Sequence, residues 1–123
     1  GEPGVNGKVT PIFPATIAWQ REDCEAFWGP SVHFNTHLRC YVMLLNRAKG
    51  KGWMQEGIYV GFSDDISDPR SWTQPWKIYD GGQWYPQVIG LRKGETDKKA
   101  GQVARFFMGG NSEWEIIFLH PDE

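Results

Sequence analysis

Residues 31–46 read Ser31-Val32-His33-Phe34-Asn35-Thr36-His37-Leu38-Arg39-Cys40-Tyr41-Val42-Met43-Leu44-Leu45-Asn46, and this stretch decides the fold. Ser31 to Phe34 is a short β-prone run. Asn35-Thr36-His37 supplies turn chemistry, because short polar side chains bond their own backbone and let the chain reverse. Arg39 to Asn46 is then apolar on both alternating faces, as expected of a strand covered by a layer on each side. The pattern predicts a hairpin whose second strand is central in a sheet.

Working outward, Gly57 to Ser63 places Ile58, Val60 and Phe62 on one face and Gly57, Tyr59, Gly61 and Ser63 on the other, which is strand periodicity. Asp64-Asp65 and Asp68-Pro69 mark turns, and Trp72 to Tyr79 contains Pro75, so it reads as an outer strand. On the N-terminal side, Lys8 to Thr16 carries Pro11 and Pro14 and is expected to be an edge strand. Ala18 to Ala26 holds Arg21, Glu22, Asp23 and Glu25 without an apolar face, and reads as a loop or a single helical turn. On the C-terminal side, Trp84 to Gly90, Val103 to Gly109 and Glu113 to Leu119 are three further strands. Leu91 to Gln102, rich in both charge signs, is expected to be a solvated hairpin loop. The fold class expected is all-β: one domain over residues 1–123, with an edge strand and loop (1–27), a first antiparallel meander sheet (28–80) and a second (81–123).

Composition sets the limits. The 123 residues suit one domain. Glycine (15) and proline (8) make up close to one residue in five, against a usual value of roughly one in eight, so turns are frequent and elements short. The apolar run Tyr41 to Leu45 is far below the roughly 18 residues that cross a bilayer, and no membrane partner is expected. A formal charge of -2 gives no basic field for phosphate backbones, so no nucleic acid is expected either. The opening GEPGVNGKVT lacks the basic and apolar segments of a signal peptide. Cys24 and Cys40 allow at most one bridge, too few for a disulfide scaffold, and they assign no compartment. Inside its apolar run, Cys40 reads as a small buried thiol.

Several motifs invite chemistry. His33 and His37 have the spacing of a zinc pair on a helix, but a turn lies between them. His120 stands without a Cys pair, so no metal ligands and no cofactor are assigned. A hydrogen-bonded structural role is expected of His33. Ser31 near His33 lacks a nucleophile elbow. The seven tryptophans carry more weight, since indole rings stack on the C–H faces of sugars while amides and hydroxyls take the sugar hydroxyls. Trp28 and Trp84 each open a strand and are candidate platforms, with Ser31, His33, Tyr85 and Gln87 as polar partners. Trp53, Trp72, Trp76 and Trp114 are expected to pack in the interior.

The order WGPSVHFNTH (28–37), YVMLLNR (41–47), EGIYVGFSDD (56–65), Trp72-x-x-Pro75, WYPQVIG (84–90), ARFFMGG (104–110) and EWEIIF (113–118) resembles the closing blades of five-bladed propellers related to glycoside hydrolase family 43, in particular uncharacterised bacterial relatives. The resemblance implies glycosidic hydrolysis by carboxylates gathered from three blades. Trp28-Gly29-Pro30 occupies the place where many members carry Glu-Gly-Pro or Glu-x-Pro with the general acid, and here that place holds a tryptophan. The other carboxylates would come from blades this chain does not contain. The expectation is therefore a non-catalytic carbohydrate-binding or interaction module with an oligosaccharide partner. Two alternatives stand beside it: a hydrolase whose site is assembled between chains, with Glu25 or Glu56 as a displaced acid, and a purely structural or partner-binding fragment. Two blades cannot close a propeller, so a homo-oligomer or a sheet-on-sheet sandwich is expected.

Overall fold

A computed structural model describes residues 11–13, 17, 21–23 and 25–123. The strands are β1 (Glu25–Asn35), β2 (Cys40–Lys49), β3 (Met54–Ser63), β4 (Trp76–Asp80), β5 (Gln87–Gly90), β6 (Lys99–Ala100), β7 (Val103–Met108) and β8 (Asn111–Ile117), with one 3-10 turn at Pro69–Ser71. Among the described residues there is no α-helix, and the chain is all-β. A curled, half-barrel sheet runs in the order β4-β3-β2-β1-β6, and a smaller one in the order β5-β7-β8.

The central position of β2 follows from its two apolar faces. Val42 and Leu44 point to one side and join Ile58 and Val60 of β3 against Val88, Ala104, Phe106, Met108 and Phe118 of the smaller sheet and its tail. Met43 and Leu45 point to the other side and pack with Tyr59 and Trp72, flanked by Phe13, Phe27, Val32 and Tyr41. Each large apolar side chain so buried contributes about 1.5–3 kcal/mol, and β2 delivers four of them in consecutive positions.

Several expectations need correction. The first strand begins at Glu25 rather than Ser31, because Glu25 to Trp28 pair with Asn46 to Lys49 before a bulge interrupts the register. Of the expected loop or helical turn at Ala18 to Ala26, residues 18–20 and 24 lie outside the described residues, 21–23 form a bend and turn, and Glu25 and Ala26 belong to β1. The expected edge strand Lys8 to Thr16 lies largely outside the described residues, and Pro11 to Phe13 are not strand. The expected solvated loop Leu91 to Gln102 contains β6. This short strand lies parallel to β1, with Phe34 N donating to Lys98 O at 2.9 Å and Thr36 N to Ala100 O at 2.8 Å. The charges at Arg92, Lys93 and Glu95 masked it, while Ala100 is small enough to be fully buried there. The second half of the chain thereby contributes a strand, β6, to the first sheet. Trp76 is 74% exposed and Trp114 39% exposed, against the interior packing expected of both, because each sits on an edge strand over whose outward face no layer lies among the described residues.

Candidate functional site

The site is built on the bulge in β1. Trp28 pairs with Asn46 and Ser31 with Leu44, so Gly29 and Pro30 together oppose a single residue of β2. Gly29 has a φ of +61°, and a Cβ there would lie 2.5 Å from Asn46 Oδ1 and 3.1 Å from the Tyr85 ring. Only glycine fits, and its absent side chain lets the segment 84–87 close onto β1.

Two bonds pin that segment. Tyr85 N donates to Oδ1 of fully buried Asn46 at 3.2 Å, and Ser31 Oγ donates to Pro86 O at 2.7 Å. Asn46 is held in turn by Nδ2, which donates to Gln55 Oε1 at 3.2 Å. With its backbone fixed at a φ of 57°, Tyr85 projects outward and is 59% exposed.

Behind Tyr85 lies an aromatic cluster centred on Trp28. Its ring meets Trp84 at 4.3 Å, Tyr85 at 5.8 Å and Trp53 at 6.2 Å between centroids, all edge-on. Such pairs add about 0.5–1.5 kcal/mol each beyond their burial. Trp28 Nε1 is buried without an acceptor among the described residues. In front of the cluster is an open cleft of about 440 Å³ between Gly29, Pro30 and Ser31 on one side and Tyr85, Pro86 and Gln87 on the other, with Val32, Met43 and Lys98 completing it.

The structure thus brings Ser31, Tyr85 and Gln87 to one cleft. Trp28 and Trp84 meet each other, but they back the exposed Tyr85 instead of lining the cleft. His33 is elsewhere. It is 2% exposed, its ring 5.3 Å from Phe118, with Asn35 Nδ2 at 3.3 Å from its Nε2. Asn35 Oδ1 accepts from the backbone of His37 and Leu38, which fixes Nδ2 as the group facing the imidazole, so Nε2 accepts. Burial pushes the His33 pKa down to about 4.

Glu25 and Glu56 converge on another place, the guanidinium of Arg47. Arg47 Nη2 bonds Glu25 directly, Nη1 lies 3.6 Å from Glu56 and donates to Tyr59 Oη at 3.2 Å, and the group lies over the Phe27 and Tyr59 rings. Lys77 Nζ donates to Glu56 at 2.7 Å and Tyr59 Oη donates to it at 2.7 Å. Burial pushes the Glu56 carboxyl up, but the bonds from Lys77 and Tyr59 and the nearby charges outweigh it, and its pKa is lowered. A general acid needs the opposite shift.

Cys40 is a free, half-buried thiol whose pKa is raised by burial and by Asp64, so it is poorly disposed to act as a nucleophile. Cys24, the other cysteine, lies outside the described residues. Sequence reasoning missed one constellation, His37 with His120 and Glu123, whose ligand atoms lie within 4.8 Å of one another. More than eighty residues separate its two halves, so no local spacing announces it.

No family model, no curated protein and no solved structure matches this chain.

Proposed function

We propose that the chain is a non-catalytic carbohydrate-binding module, a pair of sheets akin to glycosidase-like propeller blades, that seats an oligosaccharide in the cleft along the β1 bulge. The observation that carries this reading is the exposed Tyr85, backed by Trp28 and Trp84, beside a cleft edged by Ser31, Gln87 and Lys98. A sugar ring would stack its C–H face on Tyr85 while Gln87 and Lys98 take hydroxyls.

A hydrolase assembled between chains finds less support. Its candidate acids Glu25 and Glu56 both face Arg47, and the downshifted Glu56 holds its charge where an acid must carry a proton.

Association of identical chains belongs to the same reading. An apolar groove of about 340 Å³ runs between β4 and β8, with Ile78, Tyr79, Trp114, Ile117 and Leu119 exposed around it. Both strands are sheet edges, and a second copy seated there would cover them. Sedimentation at micromolar concentration should show a dimer or larger species, and a strict monomer would refute this part.

The binding test is a glycan array followed by calorimetry with arabino- and xylo-oligosaccharides. Tyr85→Ala and Trp84→Ala should each weaken binding roughly tenfold or more, about 1.4 kcal/mol. Silence with every saccharide would remove the sugar claim and leave a structural or partner-binding fragment.

A further inference from the structure

At the opposite end of β1 from Trp28, the β1–β2 turn meets the tail that follows β8. The turn is rigidly held. Asn35 is fully buried, its Oδ1 accepts from His37 N at 3.1 Å and Leu38 N at 2.9 Å, and Arg39 N donates to Asn35 O at 2.8 Å. The tail is anchored as well, since Phe118 is 5% exposed and its N donates to Gln102 O at 2.7 Å. Two residues later His120 lies beside His37, with ring centroids 4.9 Å apart, and Glu123 closes a turn in which its N donates to His120 O at 3.0 Å.

We propose that His37, His120 and Glu123 form a binding site for a divalent transition-metal ion of the zinc class, which clamps the tail to the β1–β2 turn. One ligand atom from each of two imidazoles and one carboxylate lie within 4.8 Å of one another, and His37 Nε2 donates to Glu123 at 2.9 Å, so a metal bound at this nitrogen moves its proton to Nδ1. Tetrahedral zinc with ligand bonds of roughly 2.0–2.1 Å sets its ligand atoms about 3.4 Å apart, so small side-chain rotations admit the ion. His120 Nε2 lies 3.0 Å from His37 O, a carbonyl that can only accept, so this nitrogen carries the proton and Nδ1 is the one left with a lone pair. His37 and Glu123 are partly exposed, with side chains 26% and 34% accessible, which leaves room for water as the remaining ligand. Two nitrogens and one oxygen match zinc, nickel or copper(II), and do not match magnesium or calcium, which take oxygen.

The site shares no residue with the cleft and stands or falls separately from it. The test is calorimetric titration of the untagged 123-residue chain with zinc chloride and, in parallel, calcium chloride. One equivalent of zinc should bind and raise the melting temperature, calcium should give no heat, and His120→Gln or Glu123→Gln should weaken zinc roughly tenfold or more. Both substitutions fall in the exposed tail, and their melting temperatures without metal report whether the fold is intact. Cobalt(II) should give a tetrahedral visible spectrum without a thiolate charge-transfer band. Absence of zinc binding, unchanged affinity in a folded His120→Gln variant, or a thiolate band pointing to a cysteine would each overturn the site.

Discussion

Lowering the pH from 7 to 5 is expected to cost this protein about 2 kcal/mol of stability through one side chain, His33. The imidazole is 2% exposed, and its Nε2 accepts from Asn35 Nδ2, so a proton there would both charge a buried ring and set two donors against each other. Burial lowers its pKa from 6.5 to about 4. The folded pKa is depressed, so in the window between these values the unfolded chain binds a proton that the folded chain refuses. The contribution of His33 is fully present above pH 6.5 and falls as pH drops through that window, at a limiting rate of about 1.4 kcal/mol per pH unit. The ceiling is about 3 kcal/mol, against a total stability of roughly 5–15 kcal/mol for a domain. The assay is urea unfolding at pH 7, 6, 5.5 and 5 in the presence of a chelator, which removes any contribution from a bound cation. With a urea dependence of about 1–3 kcal/mol per molar, the midpoint should fall by about 1 M between pH 7 and 5. His33→Gln, which can still accept from Asn35, should flatten the profile whatever its stability at pH 7. A profile equally steep in the variant, or flat in the parent chain, would refute the reasoning.

Two further substitutions probe the site's framework. Gly29→Ala places a Cβ 2.5 Å from Asn46 Oδ1 at a φ of +61°, and should lower stability by about 1–2 kcal/mol in urea unfolding while weakening whatever the cleft binds; an unperturbed midpoint would contradict the bulge geometry. Lys77→Met removes the cation whose hydrogen bond and charge do most to hold the Glu56 carboxyl below its ordinary value. The Glu56 pKa is depressed in the fold, so its stabilisation is present above its unfolded value of 4.5 and lost as pH falls through the folded one. The variant should therefore be destabilised at pH 7 and approach the parent chain at pH 3, and a penalty independent of pH would show that lost packing dominates.

Much of the fold was legible because it rests on local periodicity. Arg39 to Asn46 predicted a strand covered on both faces, and β2 is central with Val42 and Leu44 on one side and Met43 and Leu45 on the other. Gly57 to Ser63 and Val103 to Gly109 were legible by the same alternation. What escaped depends on partners remote in sequence. Nothing local to Lys99 and Ala100 shows that they will lie beside Phe34 and Asn35, and only the latter's exposed edge makes that strand possible. Glu25 joins β1 because Lys49 lies opposite it, and the charges around it read as a loop. At the site, Trp28 and Trp84 read as candidate platforms, and their rings are packed against each other behind Tyr85. That Tyr85 would be the exposed ring depends on Asn46, a buried side chain thirty-nine residues earlier, holding its backbone. His33 was grouped with Ser31 by strand alternation, yet the smaller sheet's tail covers one and leaves the other at the cleft.

The most direct test of carbohydrate recognition at the bulge is a two-dimensional amide and indole NMR titration with arabino- and xylo-oligosaccharides. The account predicts saturable shifts confined to the indole N–H signals of Trp28 and Trp84 and the backbone amides of Ser31, Tyr85 and Gln87. Spectra unmoved by any saccharide, or shifts centred on Ile78, Trp114 and Ile117 in the groove between β4 and β8, would contradict it.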